Sequence, residues 1–281
     1  MTALRLMSHN LWKEDNNQPA WEKAGFDCSA KTRAIGFCKL YKKTAPDLIG
    51  LQEVSEFMLN ELVQNLKNED LDYEVIQGRD TPILYNKNKL EVLDTFFALH
   101  DEKIEGLEGS FNNGNTKSYT VAVFKDKQSG KIFAFTTTHL WWKSSNPEKW
   151  HYQPFSDEAR VHQINVAIKK ADELALKHNC PSFIVGDFNA VEDSPALRLA
   201  YSLGYHNARE LATEYSNQEN GMHKCNNSGF EPYVPQSYEL AIDHILAKRL
   251  GKATILRFDR YCPDFAYPLS DHFPAYIDVE L

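Results

Sequence analysis

Asp187 and Asn189 are the residues whose types and spacing first suggest chemistry. They close the run Phe183-Ile184-Val185-Gly186-Asp187-Phe188-Asn189-Ala190. Ser182 to Val185 has the length and apolar content of a buried strand, and Gly186 ends it. In extended backbone, side chains two residues apart leave on the same side, so a carboxylate and a carboxamide meet at the mouth of a sheet. The carboxylate can take a proton from water, and the carboxamide can hold a water or a phosphoryl oxygen. The same residues also suit an Asp/Asn turn after a strand. The chemical reading gains weight because the chain repeats the design.

Leu4 to Ser8 alternates as a strand does and delivers His9 and Asn10. Asn10 alone would read as a loop-starting residue. Pro46 to Val54 is a second short apolar strand, and it delivers Glu53, a costly terminus for a buried strand unless a cation or base compensates the charge. Ser118–Lys125 and Lys131–Thr138 are alternating runs joined by a Gly-containing turn, a hairpin that delivers His139. His139 suits catalysis or a satisfied structural role. Asp243 lies among apolar neighbours in a strand expected over Tyr238–Ala247, and Asp271-His272 precede a closing strand, Ala275–Val279.

Helices must lie between these strands. The apolar positions over Lys31–Lys43 and residues 55–68 have helical spacing, and Pro46 stops the first. Tyr73–Gln77 and Thr81–Asn86 read as paired strands around Gly78, with Lys89–Leu99 continuing that meander. His100–Lys117 is a long Gly- and Asn-rich loop. Ser156-Asp157-Glu158 opens a helix with an N-cap, running to about His178, and Ser194-Pro195 opens a short one. Lys252–Phe258 is another strand, and Asn217–Gln236 a second polar loop.

Between His139 and the helix at Ser156 stand Trp141, Trp142, Trp150, His151, Tyr152 and Phe155. These rings either face a substrate and stack on it or tuck beneath their own loop. Arg160 and Gln163 share a helix face, where they can bind an anion or brace that loop.

Composition sets the outer bounds. With 281 residues, 42% hydrophobic and 25% charged, the chain can bury a sizeable core. No repeat or linker divides it, so one domain over residues 1–281 is expected. A net charge of -8 opposes broad nucleic-acid or anionic-membrane binding. Five scattered cysteines without a CxxC argue against a disulfide framework or a zinc site. No segment has the length and apolarity of a membrane span, and no leader is evident, so a soluble cytoplasmic protein is expected, with no protein partner inferable.

Ser-His-Asn-Leu-Trp, Gly-Leu-Gln-Glu-Val, Thr-Thr-His-Leu, Gly-Asp-Phe-Asn-Ala, Ile-Asp-His-Ile and Ser-Asp-His-Phe-Pro occur in that order between residues 8 and 274. Together they resemble the endonuclease/exonuclease/phosphatase superfamily of metal-dependent phosphoesterases. The resemblance implies a four-layer α/β/β/α sandwich of two mostly antiparallel sheets flanked by helices. It implies that Glu53, with Asn10 and Asp271, holds Mg²⁺ or Mn²⁺. Asp187 would position the attacking water, Asn189 a phosphoryl oxygen, and His272, oriented by Asp243, the scissile phosphate. His139 matches the phosphate- or leaving-group-binding histidine of the phosphatases and deoxyribonucleases. Apurinic/apyrimidinic endonucleases carry a Tyr there and an acidic ligand where this chain has Trp12, so abasic-site repair is not expected. Trp141, Trp142 and Arg160 are the expected substrate-binding residues, since His-Leu-Trp-Trp resembles the deadenylase-related branch.

Oxygen donors suit a hard cation that keeps several waters. The expected activity is a phosphodiesterase on a short nucleic acid, nucleotide or similar soluble ester. A phosphomonoesterase on sugar or inositol phosphates, and a non-catalytic binding protein on the same fold, are the alternatives.

Overall fold

The computed structural model describes residues 3–14, 22–23, 25–215 and 241–281. The polar loop expected at Asn217–Gln236 therefore lies wholly outside the described residues. In chain order the elements are β1 (Leu4–Asn10), α1 (Ala30–Thr44), β2 (Leu48–Gln52), α2 (Glu56–Asn68), β3 (Tyr73–Ile76), β4 (Ile83–Asn86), β5 (Leu90–Leu99), β6 (Ser118–Asp126), β7 (Ile132–His139) and α3 (Ser156–Lys177). They continue with β8 (Ser182–Asp187), α4 (Pro195–Ser202), β9 (His206–Asn207), α5 (Ala208–Leu211), β10 (Glu214–Tyr215), β11 (Asp243–Lys248), β12 (Thr254–Arg260) and β13 (Ala275–Glu280).

Two mixed sheets result, one ordered β10-β12-β13-β1-β2-β4-β3 and the other β5-β6-β7-β8-β11-β9. The expected four layers follow from which faces are apolar. Leu6, Leu48, Phe135, Val185, Ile245 and Ile277 meet between the sheets. The outer face of the first sheet packs Met7, Ile49 and Leu84 against Phe37, Tyr41 and Leu62 of α1 and α2. The outer face of the second packs Ile184 and Leu246 against Ile164 and Ile168 of α3 and Leu197 of α4. Strands buried on both faces read as near-continuous apolar runs, as β2 and β8 do.

Local signals explain most boundaries. Ser29, Ser55 and Ser194 cap α1, α2 and α4 by accepting from Thr32, Met58 and Leu197 amides. Two expectations are corrected. Strand β5 leaves the β3–β4 meander and pairs with β6 in the other sheet, Leu99 opposite Ser118. Its Leu90 and Val92 pack into the core between the sheets, whereas its alternate positions are exposed. Ser156 is the first helical residue of α3 and not its cap; Phe155 precedes it at φ 63, and the Ser156 hydroxyl donates to Gln153 O at 2.8 Å.

Among the described residues no helix is long and apolar enough to cross a membrane. The described cysteines are free.

Candidate active site

Strand register brings the distant polar residues into one row. Strands β7 and β8 run parallel with His139 opposite Asp187, and antiparallel β11 sets Asp243 opposite Asp187 on its other side. On the facing sheet β1 and β2 are parallel, with Asn10 opposite Gln52, so Glu53 follows at the same end. Gly186 makes the β7–β8 approach possible: at φ 154, a side chain there would press its Cβ to 2.0 Å from Thr138 O. Glu53 and Asn189 sit in the left-handed region at φ 53 and 49, backbone that non-glycine residues adopt rarely and that clusters at functional sites.

The side chains converge. Asn10 Nδ2 donates to Asp187 Oδ2 at 3.0 Å and to Glu53 Oε1 at 3.2 Å, while its Oδ1 accepts from Trp12 N at 2.9 Å. His139 Nε2 lies 3.7 Å from Glu53 Oε1 and 3.6 Å from Asp187 Oδ2. His272 Nδ1 bonds Asp243 Oδ2 at 2.9 Å, which turns Nε2 toward Asp187 Oδ2 at 3.8 Å and Asp271 Oδ1 at 3.9 Å. Arg260, itself buried, backs Asp243 with Nη1 at 3.6 Å from Oδ2. Ser270 ties the 270–272 loop to the end of β1, donating to Asn10 O at 2.8 Å and accepting from His272 N at 3.0 Å.

Burial sets the charges. It holds Asp187 well above the ordinary carboxylate range. Burial works against a charged His272, but Asp243, Asp271 and Asp187 together outweigh it and push His272 up to about 10. His139 is driven well below its usual value, first by burial and then by the positive charge of Lys117. The row thus offers a carboxylate with appetite for a proton, an imidazolium facing it, and a neutral imidazole alongside.

Two residues escaped the sequence reading. Lys117, immediately before β6, is buried with Nζ 2.5 Å from His139 Nε2; burial lowers its pKa, and Glu53, Asp187 and Asp80 offset part of that. Arg33 of α1 is also buried; its Nε donates to Leu269 O at 2.6 Å and its Nη2 to Leu11 O, stapling β1 to the histidine loop. Nothing in their local sequence separates them from surface cations. Only the approach of the two sheets and of α1 buries them.

The expected substrate-binding residues divide. Trp141 is 1% exposed and packs with Ile104, Phe111 and Ala159. Arg160 takes the bracing alternative, with Nη1 donating to Trp141 O at 3.0 Å and Lys143 O at 2.6 Å, and Gln163 bonds Trp141 N and Phe111 O. Trp141 and Arg160 are thus taken up by packing and bracing in the loop, which corrects their assignment as substrate contacts. Trp142 is half-buried and stacks on His151, and Trp150 beside it is 86% exposed. The Asn189 amide donates to Leu140 O at 3.1 Å, and its backbone N–H to Asp187 Oδ1 at 2.8 Å.

A divalent cation fits here. Ligand atoms of Glu53, His139 and Asp187 lie within 4.8 Å of one another. Two carboxylates and one nitrogen make a set open to Mg²⁺ or Mn²⁺. Asn10, whose oxygen serves Trp12 N, enters as a donor that orients the carboxylates.

Comparison with known proteins agrees with this geometry. The chain matches the family described as "Endonuclease/Exonuclease/phosphatase family" over residues 7–272. No curated protein matches it. Among solved structures it is similar to an endonuclease/exonuclease/phosphatase family protein from Bacteroides thetaiotaomicron, with 19% identity, coverage of 99% of this chain and 98% of the other, and a TM-score of 0.76. A mannosyl-6-phosphatase from B. thetaiotaomicron VPI-5482 is 19% identical, with 99% and 100% covered and a TM-score of 0.76. D. rerio TDP2 complexed with a single-strand DNA product is 20% identical, with 100% of both chains covered and a TM-score of 0.68. At these identities the likenesses speak to the fold. With the family match spanning both ends of the polar row, the chain belongs to the endonuclease/exonuclease/phosphatase family and is a hydrolase of phosphoester bonds.

Proposed function

We propose that this protein is a Mg²⁺- or Mn²⁺-dependent phosphodiesterase acting on a short nucleic acid, a nucleotide or a similar soluble diester. The observation that carries the reading is the His272–Asp243 pair held 3.8 Å from Asp187 beside Glu53 and His139. Glu53 would hold the cation, with Asn10 and Asp271 nearby and Asp187 and His139 facing the same space. When bound, the cation would neutralise charge on the non-bridging oxygens.

The chain's own residues supply the rest. Asp187 takes the proton of the attacking water, for which its burial suits it. His272, kept charged by Asp243, donates to a phosphoryl oxygen as negative charge builds there. Lys117 adds positive charge behind His139. Asn189 keeps its assigned contact with the phosphoryl group through a rotation of its amide, and Trp142 is the ring left for stacking. Residues 1–281 form one catalytic domain in this reading.

A second reading, a phosphomonoesterase on a sugar phosphate, is favoured by the likeness to a mannosyl-6-phosphatase. Parallel assays on bis-p-nitrophenyl phosphate and p-nitrophenyl phosphate with Mg²⁺, Mn²⁺ or EDTA separate the two. Metal-dependent turnover of the diester, lost in Asp187→Asn, supports the first. Turnover of the monoester alone replaces it with the second.

A further inference from the structure

Beside the polar row lies a cleft of 510 Å³. Val54 and Ser55, which follow Glu53, form part of its wall, and Asn115, two residues before Lys117, forms another. It lies near enough to the row that Asp80 on its wall feels the charges of Lys117 and Glu53.

Its unusual member is Asp80, a lining residue that is 7% exposed. Among the described residues no hydrogen-bond donor reaches its carboxylate. Its single ion pair is a long one, Lys13 Nζ at 4.0 Å from Oδ1. A mostly buried carboxylate that no protein donor meets is costly unless water or a ligand in the cleft compensates it. Burial accordingly pushes Asp80 up to about 6.

The position is built rather than incidental. Thr81 N donates to Gly78 O at 2.8 Å, closing a tight turn that presents Asp80. Any Cβ at Gly78 would lie 2.1 Å from Thr120 Oγ1 and 2.3 Å from Thr81 O, so only glycine fits. Thr81 is in turn bonded to Ser118 and Thr120 of the facing sheet, at 2.8 and 2.6 Å. The carboxylate is held in place by both sheets.

The chemistry of the missing donor follows from the cleft's other members. An anion is repelled by Asp80 itself. A cation is repelled by Lys13 and Arg79, which line the same cleft. Neutral hydroxyls satisfy both conditions, and two adjacent ones match the two oxygens of one carboxylate. The amides of Gln77 and Asn115 add donors and acceptors at the rim. Phe97, 37% exposed on β5, offers an apolar face for the C–H side of a ring.

We propose that this cleft binds the vicinal diol of a sugar ring in the substrate, with Asp80 accepting hydrogen bonds from both hydroxyls. The inference rests on the phosphoesterase reading for what happens at the neighbouring row, and it narrows the substrate to an ester carrying a ribosyl or glycosyl group. A ribonucleotide and a hexose phosphate share this chemistry.

Saturation-transfer NMR in EDTA, which measures binding without turnover, separates the sources. The probes are adenosine 5′-monophosphate, 2′-deoxyadenosine 5′-monophosphate and mannose 6-phosphate. The expected result is that at least one diol-bearing probe binds about tenfold more tightly than the deoxynucleotide. That preference should disappear in Asp80→Asn, whose melting temperature is not lowered because no hydrogen bond is removed. Phe97→Leu, a change on an exposed face, should weaken the same probe. A ribonucleotide preference identifies the source as a nucleotide, and a hexose preference as a glycosyl phosphate. Equal binding of all three probes, binding of none, or a preference that survives in Asp80→Asn overturns the proposal. Metal-dependent hydrolysis of bis-p-nitrophenyl phosphate is scored separately. Its absence beside an Asp80-dependent preference would defeat the phosphoesterase reading and leave the diol site standing.

Discussion

The molecule buries charge in two ways. In the brace around α1 and the loop after β7, Arg33 and Arg160 spend their donors on backbone carbonyls: Leu269 and Leu11 for the first, Trp141 and Lys143 for the second. At the mouth of the sheets side chains instead face side chains: Lys117 and Glu53 meet the His139 imidazole at 2.5 and 3.7 Å, and His272 faces Asp187 at 3.8 Å. The first arrangement is closed largely by the backbone, with Asp157 meeting Arg160 Nη2 and only Arg33 Nη1 and Arg160 Nε left without a partner among the described residues. The second is complete only with something between its members. Buried charge that ends on carbonyls is architecture, and buried charge that ends on other side chains is the better guide to chemistry.

Substitutions can break that distinction, and the largest effect is expected at Asp187. Asp187→Asn should lower kcat on the preferred ester by about 10²–10⁴-fold. It should at the same time raise the melting temperature in EDTA, because it removes a carboxylate that burial disfavours. A variant both inactive and less stable would assign Asp187 to the architecture.

Arg33→Met should do the reverse, costing about 2–4 kcal/mol of stability in urea unfolding as two buried carbonyls lose their donor. Lys117→Met tests the opposite class with the same replacement. A drop of about 10²-fold in kcat/KM is expected, with a smaller loss of stability than in Arg33→Met because burial already works against the Lys117 charge. If Lys117→Met unfolds as Arg33→Met does, the two classes collapse into one.

Mg²⁺ should stabilise by about 2.7 kcal/mol at a hundred times its Kd, and much less in Asp187→Asn. Unchanged melting in saturating Mg²⁺ would count against the cation site. A further effect is in acid. Burial pushes His9 and His100 down to about 3. Unfolded imidazole titrates near 6.5, so as pH falls from about 6.5 toward 3 the unfolded chain takes up protons that the folded chain refuses. Stability should fall by up to about 1.4 kcal/mol per pH unit for each histidine. His272 has the opposite sign, its contribution being present below about 6.5 and lost as pH rises through about 10. Urea titrations between pH 4.5 and 6.5 on wild type and His100→Gln should show a shallower slope in the variant.

What the sequence disclosed follows the same division. Asn10, Glu53, His139, Asp187, Asp243 and His272 were legible because a polar residue closing an apolar run violates a local pattern, and such a violation can be seen without knowing the partner strand. The serine caps and the helix spacing were legible for a similar reason. Lys117, Arg33 and Asp80 violate nothing locally. A Lys before a strand or an Asp in a turn is ordinary until a second sheet closes over it. The crossing of β5 to the other sheet was hidden likewise, because alternation reports which face is buried and not which sheet supplies the neighbour. The four layers came through family resemblance, not from periodicity.

The pairing of β13 with β1, Leu4 opposite Val279, has a consequence in the order of synthesis. Strand β1 is made about 270 residues before β13, one of its two neighbours. At about 5–20 residues per second the wait is on the order of tens of seconds. Through that interval an apolar strand keeps an open edge, and Asn10 has no Ser270 beneath it. The nascent chain must therefore be shielded by its own early helices or by a chaperone. When β13 docks it brings Asp271 and His272 to the mouth of the sheets, so the polar row is assembled in one step.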